Sequence, residues 1–460
     1  MKIQIACLII AGLAVTGMTG MRGQTQNHRL VAHEWGTFTS VQGADGVLLD
    51  WKPLETSKLP KFVYDWTHPG LNRVFTGGGY GGFGKGSMIA RQRMETPVIY
   101  FYSDREQTVD VTVLFPRGLI TEWFPQARRI GPSIVPPGQG IAAMDSELRA
   151  LGVSPRFTLA SLFESENVGG SMIRWADVKI LPTPHHTGIA AQLPTDDSGS
   201  HYFAARDTDA AFVSADSFSR TNRLPEHEKF LFYRGVGNFS TPLRVTMKSD
   251  DAVMVTNTGT EPLAHLFVLG VKGMAGNFVY IDELLPGTEK TIPLGPQNQP
   301  LPGAVLNAEL GRKLAESLVK EGLYPREAAA MVNTWKDSWF AEDGVRVLYL
   351  LPRAWTDQTL PLTLDPAPRE VVRVMVGRAE VLSPGVEQTL ADSLAKARTG
   401  DEQARMEVIS QFKKLGRFGE PALRLATKGA SMELAQSAWT LFQTASAASK
   451  GDPSKPESSL

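Results

Sequence analysis

Thr108-Val109-Asp110-Val111-Thr112-Val113-Leu114-Phe115 decides the fold class. Val109, Val111, Val113 and Phe115 fall on one face of an extended chain, and Thr108, Asp110 and Thr112 fall on the other. That is the period of two a half-buried strand requires. Outward from this stretch, apolar runs at 98–102 and 119–124 flank it. Their connections, Ser103-Asp104-Arg105-Glu106 and Pro116-Arg117-Gly118, are short enough for an antiparallel meander. Strand-length runs separated by turn residues continue over 30–294. A second series starts near Lys229 and covers 243–248, 252–256, 264–269, 278–281 and 289–294, punctuated by Ser249-Asp250-Asp251, Asn257-Thr258-Gly259 and Leu285-Pro286-Gly287. This spacing predicts a β-sandwich of immunoglobulin-like type, an analogy of fold that says nothing of activity.

Two helices interrupt the strands. Leu306, Leu310, Leu314 and Leu318 recur every four residues, with Gly322 placed to stop the helix. A second helix starting at Pro325 puts Ala328, Met331, Val332, Trp335 and Trp339 on one stripe. Strands return at 345–351, 358–364 and 371–382. The fold class expected is mainly β (α+β). Its organisation is a leader at 1–23, a β-rich unit at 28–225, a sandwich at 226–385 carrying the helical pair 303–340, a helical tail at 386–445, and a disordered end at 446–460. A helix is expected over 145–162 and Pro/Gly-rich loop over 130–140.

Among 460 residues, Lys and Arg number 47 and Asp and Glu 48, so no chain-wide basic footprint exists and a nucleic-acid partner is not expected. Lys2, an apolar run over 5–15 and the small residues Gly17, Gly20 and Gly23 follow the order of a secretory leader. The run is too short to span a bilayer, and no other stretch approaches ~20 apolar residues, so no membrane span is expected after processing. Cleavage near Gly23 would remove Lys2 and Arg22 without any acid, shifting the net charge from −1 to −3. It would also remove Cys7, the only cysteine, so the mature chain would have neither disulfide nor thiolate metal site. A periplasmic or extracellular location is the expectation.

Gly79-Tyr80-Gly81-Gly82-Phe83-Gly84 satisfies G-x-G-x-x-G, but it runs towards Met94-Glu95-Thr96-Pro97 and a strand rather than opening a helix. Gly86 after Lys85 also breaks a Walker loop. It reads as a surface loop or a flap. In the strand through His33-Glu34-Trp35-Gly36-Thr37-Phe38, His33 and Trp35 face one way and Glu34 the other, so one metal ion cannot readily take both His33 and Glu34. Each is either a satisfied core residue or part of a site. Glu95 and Glu122 sit on strands among apolar residues, Glu122 on the same face as Ile120 and Phe124. Each is either paired with an arginine such as Arg93 or Arg234, or raised in pKa for acid–base work. Two such carboxylates facing one cleft would equip a glycosidase. His201 and Arg206 fall in Ser200-His201-Tyr202-Phe203-Ala204-Ala205-Arg206-Asp207, where His201 could join His33 as a metal ligand or act as a general base. No H-E-x-x-H and no G-x-S-x-G occurs, so neither a metal nor a serine nucleophile is assigned. Trp335 and Trp339, one turn apart, are core residues or a platform for sugar rings.

HEWGTFTS at His33, RMETPVIYFY at Arg93, LITEWFPQA at Leu119, SHYFAARDTDA at Ser200, FLFYRGVGNF at Phe230 and the TWKDSWF helix end together resemble a family of uncharacterised exported bacterial proteins, over about 30–425. The resemblance implies export and supplies no catalytic residue or cofactor. Three functions are therefore weighed. The candidates are Glu95, Glu122, His33 and His201 for catalysis and Glu34, Trp35, Arg206 and Arg234 for binding, and a carbohydrate-active or glycan-binding protein would use the paired acids and a surface-capable Trp. A metal-dependent hydrolase would use His33 and His201. A non-catalytic envelope protein would bind a partner protein through a sandwich edge or the helical tail. If there is a cleft, His33, Glu34, Glu95, Glu122, His201, Arg206 and Arg234 should converge on it, because ionisable groups in apolar strands are costly unless paired or functional.

Overall fold

The computed structural model describes residues 27–54, 59–65, 88–131, 170–216, 224–294 and 300–450. The leader, the glycine loop at 79–84, the helix expected over 145–162, and 132–140 and 451–460 lie outside the described residues.

The N-terminal strands are β1 (Asn27–Gln42), β2 (Tyr64–Asp65), β3 (Gln92–Tyr102), β4 (Gln107–Phe115), β5 (Gly118–Phe124), β6 (Arg129–Gly131), β7 (Ser171–Leu181), β8 (Phe212–Asp216) and β9 (Pro225–Glu228). There follow β10 (Leu231–Gly237), β11 (Leu243–Ser249), β12 (Ala252–Asn257), β13 (Leu263–Lys272), β14 (Ala275–Leu284), β15 (Glu289–Pro293) and β16 (Leu301–Pro302). Helices α1 (Gly303–Lys320) and α2 (Pro325–Phe340), strand β17 (Gly344–Leu351), helix α3 (Arg353–Thr359) and strands β18 (Leu362–Asp365) and β19 (Pro368–Val381) come next. The tail is α4 (Pro384–Arg398), α5 (Glu402–Leu415), α6 (Gly419–Ala426) and α7 (Met432–Lys450). The chain is thus β-rich, with a helical C-terminal region. Helix α7 continues five residues past the expected start of the disordered end, and the strand expected from 358 begins at Leu362 because α3 occupies Thr359. No helix among the described residues is long and apolar enough to cross a membrane.

One ten-stranded sheet, in the order β16-β14-β13-β17-β19-β1-β3-β10-β5-β2, organises everything else. β1 lies in its middle, parallel to β19 and antiparallel to β3. Covered on both faces, it is buried over 30–42, as central strands are. On one face Trp35, Tyr100, Phe232, Phe267 and Leu348 pack against α1, α2 and the 3-10 turn His201–Arg206. On the other, Phe38, Ile99, Trp123, Val268 and Met375 share a core with two smaller sheets. These are β18-β4-β7-β8-β9, with β6 on β7, and β11-β12-β15. The tail has its own core, in which Phe412, Phe418, Leu441 and Phe442 meet Val41, Trp51 and Leu382.

Two expectations are corrected. The meander 98–124 does not form: β3 and β5 both pair with β10, while β4 crosses into the smaller sheet between β18 and β7. The turns at 103–106 and 116–117 allow a hairpin or a change of sheet. Both edges of β3 are already occupied, by β1 and β10. The boundary at 225/226 is not a division between sheets either, since β1, β3 and β5 from one side of it alternate with β10 and β19 from the other. Within 226–385, three strands do face four across a shared core, yet the four-stranded layer continues through β19 into β1.

Candidate functional site

Three β-irregularities place the ionisable side chains. Trp35 pairs with Val98 and Thr37 with Glu95, so β3 carries one extra residue in between. Three positions apart, Val98 and Glu95 would otherwise face opposite sides. The bulge, where Thr96 takes φ +50°, turns Glu95 and Arg93 onto the face of Trp35, Thr37 and Thr39. Gly36 leaves room for it, because a Cβ there would sit 2.9 Å from Pro97 Cα. A second irregularity, between Phe232 and Gly235 of β10, shifts that strand against β3. A third, between Arg234 and Gly235, sets Arg234 opposite Glu122 on β5. It also separates Ile120 from Phe124: Ile120 joins the core under the small sheets and Phe124 the core under the helices, correcting the single face expected for both.

The result is a buried arginine–glutamate network between the sheet, the end of α2 and the tail. Glu95 Oε1 lies 3.0 Å from Arg93 Nε and 3.0 Å from Arg417 Nη1, and its Oε2 accepts from the Thr39 hydroxyl at 3.0 Å. Arg234 grips Glu122 with two bonds, at 2.7 and 3.1 Å. Glu380 Oε1 accepts from Arg346 at 2.8 Å and from Arg378 at 2.5 Å, and Arg378 also reaches Glu342 at 2.7 Å. Arg346 closes the C-terminal end of α2 by donating to the Trp339 and Glu342 carbonyls.

Electrostatics follow from these pairings. Burial alone would raise the Glu95 pKa, but Arg93, Arg417 and Arg378 outweigh it and hold the carboxyl at about 2. Burial lowers Arg93 to about 9; Glu95 opposes this, and Arg234 and Arg417 reinforce it. His201, half-buried with its ring 4.7 Å from that of Trp335, is lowered to about 4 by burial; Glu95 opposes the shift and Arg93, Arg234 and Arg417 add to it. His201 is neutral at neutral pH. Glu95 is ionised, which suits a structural anion and not a proton donor.

Of the seven residues expected to converge, Glu95, Glu122, His201 and Arg234 do so. The other three are held elsewhere, which corrects the single-cleft expectation. His33 Nδ1 pairs with Glu327 at 2.7 Å, under the rings of Tyr102 and Tyr324. Glu34 faces the opposite side of the sheet, bonded to Tyr233 and Arg373, both at 2.5 Å. Arg206 holds Glu228 at 2.6 to 3.1 Å over the Phe203 ring. His33 and His201 belong to separate clusters, and no group of three His, Cys, Asp or Glu among the described residues could hold a metal ion. Trp35 is a core residue, and Trp335 and Trp339, parallel at 5.9 Å, are 3% and 0% exposed, so they offer no platform for a sugar. Sequence reasoning missed Arg346, Arg378 and Glu380. The signal was there: Val345-Arg346-Val347 and Gly377-Arg378-Ala379-Glu380-Val381 break apolar strands just as Glu122 does. Arg417, in a short turn of the tail, carries no such signal.

No family model and no curated protein matches the chain. Solved structures are similar at low scores. The Fcho1 mu homology domain of Danio rerio with bound Eps15 peptide aligns over 78% of this chain and 99% of that one, at 8% identity and TM-score 0.28. The yeast delta-COP-I mu-homology domain aligns over 78% and 99%, at 7% identity and TM-score 0.25. Scores this low do not establish a shared topology.

Proposed function

We propose that this chain is an exported, non-catalytic envelope protein that binds a partner protein through its helical tail. The observation that carries the reading is a groove of about 410 Å³ between the starts of α4 and the end of α6. Its walls are mixed: Leu382, Val386, Leu390, Leu425 and Ala426 supply apolar surface beside Gln388, and its single carboxylate, Glu387, already accepts from the Ala44 amide at 2.7 Å. A volume of this size accommodates a short apolar segment, as helix- and peptide-binding grooves do. Among the described residues neither enzyme reading gains support. Glu95 and Glu122 are occupied by arginines, and His33 and His201 do not meet. The glycan reading loses its aromatic platform. Export, a periplasmic or extracellular location, kinship with the exported family and an immunoglobulin-like type for the layers at 226–385 belong to the same proposal. Their support is the leader-like 1–23, the shared motifs, and three strands facing four.

A photo-crosslinking residue at Gln388, exposed in the groove, tests the tail as the binding face, with Lys290 on β15 as the control position. In native envelopes the expected result is a discrete adduct from position 388 alone that disappears when Ala391→Trp fills the groove. An adduct that survives Ala391→Trp, or none at all, rejects the reading.

A further inference from the structure

We propose that the arginine-lined interior beneath the tail is a binding site for one small oxyanion group, a carboxylate or a phosphoryl group, held by Arg93, Arg417, Thr37 and Trp335. This goes beyond the partner-protein reading and concerns a different part of the molecule. Four donor groups support it. The Arg93 Nη1, Arg417 Nε, Thr37 hydroxyl and Trp335 indole N–H are all buried and have no hydrogen-bond partner among the described residues. Their side chains are at most 8% exposed. Buried donors left unmatched are rare and costly, so several in one neighbourhood call for an acceptor. Here they do share a neighbourhood. Thr37 stands opposite Glu95 in the sheet, Arg93 and Arg417 both meet Glu95, and Trp335 lies against His201, whose surroundings include Glu95, Arg93 and Arg417.

Charge points the same way. Among the described residues the network contains five guanidiniums, on Arg93, Arg234, Arg346, Arg378 and Arg417, against four carboxylates, on Glu95, Glu122, Glu342 and Glu380. Among these described residues guanidiniums outnumber carboxylates by one, and water can satisfy donors without cancelling that charge. An unpaired acceptor, Glu342 Oε1, lies on the tail side, but Glu342 is engaged through its other oxygen. His201 and Ser338, the latter accepting from Arg378, are half-buried. An anion beside the neutral His201 would also draw its pKa back up.

The test titrates the full chain with inorganic phosphate, sulfate, acetate and glucuronate, with glucose as the uncharged control, following calorimetry and the His201 ring signals together. The expected result is one-to-one binding of an anion, none of glucose, and an upward shift of the His201 titration. Tighter binding of phosphate and sulfate assigns a phosphoryl-like ligand; tighter binding of acetate and glucuronate assigns a carboxylate. Thr37→Val keeps shape while removing its donor, and Trp335→Phe removes the indole N–H together with part of the ring. Both should weaken binding about tenfold or more, and for Thr37→Val the anion-free melting temperature should hold or rise, because an unmatched buried donor has gone without loss of volume. Binding weaker than about 10 mM for every anion, or binding that both substitutions leave unchanged, overturns the proposal.

Discussion

Arg417 Nη1, in the turn between α5 and α6, lies 3.0 Å from Glu95 Oε1 on β3, although 322 residues of chain separate them. A residue of the tail thus completes the charge environment of a carboxylate in the middle of the large sheet. Glu95 is held by three groups from three parts of the chain, Thr39, Arg93 and Arg417, so it behaves as a structural tie.

Glu95→Gln should destabilise the fold by about 3–5 kcal/mol, because Arg93 and Arg417 would stay buried with no carboxylate to meet. Glu122→Gln should act alike through Arg234. Urea unfolding of both variants checks this. A melting temperature held or raised would instead mark a functional carboxylate.

Acid should unfold the protein partly through Glu95. Its carboxyl is held at about 2 against an ordinary 4.5, so the stability it contributes is complete above 4.5 and is lost as pH falls from there towards 2. The amount is on the order of 3 kcal/mol. Unfolding midpoints measured from pH 6 to 2 should fall less steeply for Glu95→Gln; an identical slope would remove Glu95 from the account.

His201 acts in a separate window. Its folded pKa of about 4 lies below the ordinary 6.5, so the unfolded chain takes up the proton first and stability declines as pH falls from 6.5 to 4. Ring-proton signals of His201 should show a midpoint near 4 in anion-free buffer. A midpoint near 6.5 would mean that its burial beside the arginines does not govern it.

Gly235→Ala should cost about 1–3 kcal/mol or more, because a Cβ there would stand 2.3 Å from the Leu119 carbonyl oxygen, a backbone atom that cannot swing aside. The strain falls on the irregularity that sets Arg234 opposite Glu122. Gly188→Ala, with nothing within 4 Å, is the control and should leave the melting temperature unchanged.

Much of the local structure was legible. The alternation at 108–115 appears as β4 with Val109, Val111, Val113 and Phe115 buried, the four-residue leucine repeat as α1, and the stripe from Ala328 to Trp339 as the buried face of α2. The opposed directions of His33 and Glu34 were legible too. The site was legible only in part: Glu95, Glu122 and Arg234 broke their local patterns and do meet in one network, but the same pattern-breaking in His33, Glu34 and Arg206 led to separate partners, Glu327, Arg373 and Glu228.

What the sequence determined by itself is what depends on neighbours a few residues away: which segments are extended or helical, which side chains share a face, and that charges in apolar strands must be satisfied. Only the tertiary structure decided which strand pairs with which, which carboxylate meets which arginine, and that the tail reaches into the sheet through Arg417. The physical reason is that side-chain direction follows from backbone period, which is local. Pairing instead depends on contacts between distant segments, and a single extra residue in a strand, as at Thr96, reverses the face of everything beyond it.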